Sequence, residues 1–214
     1  IFVEIALTKG LSQSIQELTR PSDEKMKNYD TATFYSISNC QDGLSRVTLG
    51  NFLIKRVVFE IQEELPNIKN FGTLSPIPGF RDWFVNLDEK LVKNILGNIP
   101  LENISFLKSS SLKIGDTRII SNKNAIYKLV AHYLMNEKNS KQLPINDVCR
   151  FHLGNGAIID DIVINANISE VGFKRSFGVM VNYLYELKNI EKNHEEYINK
   201  KTTIISNKVK KLIQ

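Results

Sequence analysis

Residues 31 to 74 set out a strand, a turn, a helix and a second strand in that order, and this succession restricts the fold more than any other feature of the sequence. TATFYSIS, from Thr31 to Ser38, concentrates β-branched and aromatic residues between turn formers, which predicts a strand. Asn39-Cys40-Gln41-Asp42-Gly43 follows as a cluster of turn residues. From Gly50 the run NFLIKRVVFEIQEEL places Phe52, Leu53, Val57, Ile61 and Leu65 at helical spacing, and Pro66 ends it. Lys69 to Leu74 then predicts the second strand. Parallel neighbours cannot be joined by a tight hairpin, whereas a helix is long enough to carry the chain back, so the pair is expected to be parallel with a right-handed crossover. IFVEIAL at the start predicts a further strand, and Thr19 to Asp30 a surface loop.

The rest of the sequence predicts mostly helices. Pro78 suits the first turn of a helix through Phe84, Leu87 to Leu96 is amphipathic, and Asn122 to Lys138 sets Ile126, Leu129, Val130, Tyr133 and Leu134 on one face. Pro144 to Leu153 reads as a helix, Ala157 to Ile164 as a strand, and Val171 to Leu187 as another helix before a basic helical tail. No run of eighteen uncharged apolar residues occurs, no signal-peptide core opens the sequence, and two cysteines do not make a disulfide framework. A secreted cross-linked scaffold and a membrane protein are therefore not expected. The net charge of +5 comes mainly from residues 188 to 214, where seven lysines face three glutamates and Tyr197 is the sole aromatic. Lysines without stacking partners form a solvated face rather than a nucleic-acid site, so neither nucleic acid nor membrane is an expected partner.

Two short segments could carry chemistry. In LSPIPGF, Ser75 stands at the end of the second of the paired strands, Pro76 holds it extended, and the N–H groups of Ile77 and Gly79 could face an oxyanion. A helix cap accounts for Ser75 equally well, and the absence of GxSxG disfavours a hydrolase. In FHLGNGA, His152 ends a helix and Gly154-Asn155-Gly156 makes a tight turn into a strand. His132 and His194 lack a companion motif and are read as structural. The loop before the long helix suits a pyrophosphate, because free N–H groups and the helix dipole favour an anion there, and it suits a plain turn equally well; Gly43 and Gly50 allow close approach, and Lys55 and Arg56 could support an anion or be solvated. No GxGxxG or GxxxxGK[ST] is present, and no His/Cys/Asp cluster has metal-ligand spacing.

Taken together, FYSISNCQDGL, LGNFLIKRVV, LSPIPGF, FHLGNGA and GVMVNYLYELKNIEKNHEEY, in this order, resemble the malonyl-CoA decarboxylase family over nearly the whole chain. The resemblance implies a single catalytic domain of α/β class, a GNAT-like mixed sheet with flanking helices and a helical C-terminal tail. It implies an acyl-CoA held by Asn39, Gln41, Gly43, Thr48, Gly50, Asn51 and Lys55, and catalytic roles for Ser75, His152 and Tyr185. It also implies no cofactor beyond the malonyl-CoA substrate, and a homo-oligomer formed through a helical domain that precedes the catalytic one and is absent here. The chain begins at Ile1 inside an apolar run, so a longer protein is expected. The family pattern is broken at Arg46, where a glycine is usual, at Thr48, where some members carry a carboxylate, and at Asp161, Ile162, Val163, Ile164 and Asn167.

Decarboxylating a malonyl thioester leaves an electron pair on C2 that the thioester carbonyl accepts as an enolate. The protein must orient the carboxylate, stabilise the enolate oxygen and deliver a proton. His152 suits the proton, because a histidine titrates near working pH, while Ser75 would hold the carboxylate or orient the ring and Tyr185 would fix one of them. Nucleophilic acyl transfer by Ser75 is the competing chemistry. An acyl-CoA-dependent transferase and a catalytically silent CoA-binding domain remain as other classes. KKLIQ is not the peroxisomal SKL signal, so the sequence leaves open a bacterial cytoplasm or a eukaryotic mitochondrion, peroxisome or cytosol.

Overall fold

The computed structural model describes residues 2–20, 29–38 and 50–214, with the side chains of 38 and 50–53 outside that description. The strands are β1 Phe2–Thr8, β2 Thr31–Ser38, β3 Asn70–Thr73, β4 Ser75–Pro76, β5 Ile158–Val163 and β6 Met180–Leu184. The helices are α1 Ile15–Leu18, α2 Gly50–Glu64, α3 Phe80–Val85, α4 Glu89–Leu96, α5 Glu102–Ser105, α6 Thr117–Ser121, α7 Lys123–Met135, α8 Asp147–Gly154, α9 Glu170–Ser176, α10 Ile190–Lys200 and α11 Asn207–Ile213. The strands make one mixed sheet in the order β1-β2-β3-β6-β4, with β5 paired to β6. The chain divides into two compact units, residues 1–75, 151–159 and 182–204 in the first and 76–150, 160–181 and 205–214 in the second.

In the first unit β1 runs antiparallel to β2, from Phe2 opposite Ser38 to Thr8 opposite Thr31, with a register shift between Glu4 and Ile5. β2 and β3 are parallel, with Thr31 opposite Asn70 and Phe34 opposite Thr73, as the strand-helix-strand order predicts. Thr31, Ala32, Thr33 and Phe34 are all buried, so this end of β2 is covered on both faces and shows no alternation. The inward stripe of α2 is turned slightly from the expected one. Ile54 and Val58 are buried, Val57, Ile61 and Leu65 are half-buried at its margin, and Phe59 faces solvent.

The second unit is largely helical. α7 buries Ile126, Leu129, Val130, Tyr133 and Leu134, the face its spacing predicts. α4 starts where the Asp88 side chain accepts the N–H groups of Lys90 and Leu91, and it buries Val92 and Leu96. The Arg81 guanidinium lies 5.2 Å from the ring centres of both Phe173 and Phe177.

Four sequence expectations are corrected. Val171 to Leu187 is not one helix: α9 ends at Ser176, Phe177 and Gly178 take left-handed φ of 55° and 81°, and the chain continues as β6. Met180, Val181, Asn182 and Tyr183 are all buried, and a short apolar run covered on both faces does not reveal its period. The helix expected from Pro78 begins at Phe80, capped by Gly79. The one expected from Pro144 begins at Asp147, since Pro144 forms an isolated bridge with Lys138. The basic tail is two helices, α10 ending at left-handed Lys201, and the Ile204 carbonyl beyond it accepts the Ile159 N–H. Among the described residues, no helix is long and apolar enough to cross a membrane.

Candidate active site

The first unit brings Thr73, Ser75, His152 and Tyr185 together, and each is pinned through its main chain. β3 ends at Thr73, and Ser75 opens β4 rather than closing β3, which corrects its expected place. Leu74 between them donates its N–H to the Phe34 carbonyl at 3.2 Å. In an extended chain residues two apart share a face, so both hydroxyls point the same way.

His152 lies near the end of α8, and the helix end fixes it. The Gly156 N–H donates to the Leu153 carbonyl at 2.9 Å and the Ala157 N–H to the His152 carbonyl at 3.1 Å, the paired bonds of a Schellman cap. Gly156 has φ of 81°, and a Cβ there would stand 2.2 Å from the Ile190 carbonyl oxygen, so only glycine fits. Tyr185 follows β6 directly, and its N–H donates to the Phe71 carbonyl at 2.8 Å.

The side chains form one continuous row. Tyr185 Oη lies 2.8 Å from His152 Nδ1, His152 Nε2 lies 3.0 Å from Ser75 Oγ, and the Ser75 hydroxyl donates to Thr73 Oγ1 at 2.8 Å. The Tyr183 N–H also donates to Thr73 Oγ1, at 3.3 Å. The imidazole stacks on the Tyr183 ring, with centres 4.4 Å apart. All four residues of the row are buried. Burial pushes the His152 pKa down to about 3 and the Tyr185 pKa well above its usual value, so both are neutral at ordinary pH. A neutral imidazole hydrogen-bonded on both nitrogens is a relay for protons. Ser75 is not a helix cap: Gly79 caps α3, and Ile77 and Gly79 belong to the second unit.

The other expected positions fare differently. Asn39, Gln41, Gly43, Arg46 and Thr48 lie outside the described residues. Gly50 and Asn51 begin α2, and the Asn51 side chain is outside the description. Lys55 is ion-paired with Glu191, and Arg56 with Glu60 at 2.6 Å. His194 Nδ1 lies 2.6 Å from the Gly154 carbonyl oxygen, and His132 stacks on Trp83, which suits structural roles. Asp161 pairs with Lys208, and Asn167 Oδ1 accepts the Ser169 N–H and hydroxyl, so two of the departures from the family pattern have structural partners of their own. Among the described residues, no group of three His, Cys, Asp or Glu is placed to hold a metal ion. Sequence reasoning missed Thr73 and Tyr183. The two-residue step from Thr73 to Ser75 is the available signal for the former; the helix expected over residues 171 to 187 leaves the latter unmarked.

Comparison with known proteins agrees with the motifs. The family described as malonyl-CoA decarboxylase C-terminal domain matches residues 1–214. The mitochondrial malonyl-CoA decarboxylase of Rattus norvegicus is 34% identical, over all of this chain and 48% of the relative. That of Anser anser anser is 34% identical over 94% of this chain and 44% of the relative. The chain thus spans about half the length of these relatives. The crystal structure of malonyl-CoA decarboxylase from Rhodopseudomonas palustris superposes with a TM-score of 0.84 at 37% identity, over 99% of this chain and 49% of that one. The structure from Agrobacterium vitis gives 0.84 at 35%, over 99% and 53%. Ordered motifs, fold and a family match along residues 1–214 converge, and the chain belongs to the malonyl-CoA decarboxylase family.

Proposed function

We propose that this chain is the catalytic part of a malonyl-CoA decarboxylase, converting malonyl-CoA to acetyl-CoA and carbon dioxide at Ser75, His152 and Tyr185. The observation that carries the proposal is the buried row in which His152 is held from both nitrogens by Tyr185 and Ser75. The bond from C2 to the carboxylate breaks, its electron pair moves into the thioester as an enolate, and carbon dioxide leaves. The thioester carbonyl is sink enough, so the reaction needs no cofactor. Ser75 offers its hydroxyl to the carboxylate and then to the enolate oxygen, while His152 supplies the proton to C2. The resting imidazole is neutral, so that proton arrives with the anionic substrate, whose charge favours the imidazolium. After transfer the ring is neutral again, and one solvent proton has been consumed per turnover.

The family resemblance of residues 39 to 55 supports an acyl-CoA site at the loop before α2 and its first turns, and an oligomer built through a preceding helical domain belongs to the same proposal. The test is to follow malonyl-CoA consumption and carbon dioxide release in the full-length protein. Equimolar loss and release, slowed about 10²- to 10⁴-fold in both Ser75→Ala and His152→Ala, is the expected result. CoA binding without turnover would replace the proposal with a silent CoA-binding domain. An acyl group trapped on Ser75 would replace it with acyl transfer.

A further inference from the structure

We propose that Thr73 is a positioning residue, whose hydroxyl oxygen takes the Ser75 hydrogen and thereby keeps His152 in the tautomer protonated on Nε2. Ser75 carries one hydroxyl hydrogen, and it is directed to Thr73 Oγ1 at 2.8 Å. The contact of 3.0 Å between Ser75 Oγ and His152 Nε2 then has one source of hydrogen, the ring nitrogen itself. With the proton on Nε2, Nδ1 is a lone pair, and the 2.8 Å contact with Tyr185 is donated by the phenol. Every donor in the row points the same way, from Tyr185 through His152 and Ser75 to Thr73.

Thr73 is built to hold this direction. It is buried in β3 opposite Phe34, its β-branched side chain has few rotamers, and its carbonyl accepts the Asn182 side-chain amide at 2.9 Å. Its hydroxyl oxygen also takes the Tyr183 N–H, which fixes where the Ser75 hydrogen is received. Were that acceptor absent, the Ser75 hydroxyl would turn to Nε2 and drive the ring proton to Nδ1. Ser75 would then face an incoming anion with lone pairs alone. A malonyl carboxylate or enolate oxygen needs a hydrogen, and Thr73 keeps the Ser75 hydrogen free of the imidazole until the substrate claims it. The purpose assigned here rests on the decarboxylase proposal, whereas the tautomer does not.

The test uses full-length protein with ¹⁵N-labelled histidine, in which the two ring-nitrogen shifts of His152 report its tautomer directly. The His152 signals are identified as those lost in His152→Gln, which sets aside every other histidine of the full-length protein. Thr73→Val keeps the branched shape without the hydroxyl, and Thr73→Ser keeps the hydroxyl. The expected result is Nε2–H in wild type and Thr73→Ser, and Nδ1–H in Thr73→Val. With it comes a fall in kcat of about 10- to 100-fold in Thr73→Val at little changed KM, restored in Thr73→Ser. An Nε2–H ring in Thr73→Val, or an Nδ1–H ring in wild type, overturns the proposal whatever the activity. If the wild type fails to decarboxylate, the decarboxylase reading falls, and the shifts alone still decide the role of Thr73.

Discussion

Two buried polar groups, one in each unit, direct their hydrogen bonds to different kinds of partner. In the first unit Tyr185, His152, Ser75 and Thr73 bond side chain to side chain. In the second, the Tyr133 hydroxyl and the Asn146 amide both donate to the Pro78 carbonyl, at 3.0 and 2.9 Å, and Asn146 Oδ1 accepts the Cys149 N–H at 2.8 Å. Each of these three bonds has a main-chain group at one end, and Gly79 beside them has a left-handed φ of 81°, with a Cβ there lying 2.8 Å from the Tyr133 hydroxyl. A carbonyl already fixed in a turn cannot change partner without moving the backbone, so this cluster holds shape. Side chains bonded to side chains can exchange hydrogens and partners at little backbone cost. Burial makes both groups expensive to break, and the first contains an imidazole, a group able to take up and give a proton.

The comparison breaks or stands first on turnover. His152→Ala and Ser75→Ala are each expected to lower kcat about 10²- to 10⁴-fold, and the double replacement to lose little more than the worse single one, since the proposed mechanism has both act on one centre. Asn146→Ala, assayed at a temperature where it is folded, is expected to leave kcat unchanged. A comparable loss there would erase the distinction between the groups.

Acid stability sharpens it next. An unfolded histidine takes a proton below about 6.5, whereas His152 in the folded chain does so only near about 3. Between these values the unfolded state binds the extra proton, so stability falls as pH falls. The slope is about 1.4 kcal/mol per pH unit from this residue, and the contribution is fully present above about 6.5. Urea titrations across that window should show a shallower slope in His152→Gln, and equal slopes would deny that the ring is buried neutral.

Smaller effects are expected on the structural side. Asn146→Ala removes a donor to Pro78 and the acceptor for the Cys149 N–H, and should cost about 1 to 3 kcal/mol in urea unfolding. Tyr133→Phe removes one of the two donors to Pro78 and should cost about 1 kcal/mol. A Tyr133→Phe loss larger than that of Asn146→Ala would show that the phenol, not the amide, organises the cluster.

Legibility followed how locally each element is buried. α7 was readable because a helix half-covered by its neighbours repeats its buried side every three to four residues, from Ile126 to Leu134. The parallel pair β2 and β3 was readable because the order of elements leaves no other connection. β6 was not, since Met180 to Tyr183 are buried on both faces and show no period. Consequently Tyr185 was expected on a helix, and it follows a strand instead. Ser75, His152 and Tyr185 were named from motif resemblance, which carried no distance between them.

By itself, the sequence determined the βαβ frame, the family, and the glycine turn that terminates α8 just after His152, because each depends on residues close together in the chain. Only the tertiary structure decided that Ser75, 77 positions from His152, and Tyr185, 33 positions beyond it, meet on the two nitrogens of one ring. The tertiary structure likewise brought in Thr73 and directed the Ser75 hydrogen to it. Hydrogen-bond direction depends on lone pairs and distances set by strand register and helix ends, and no local pattern of residues encodes those.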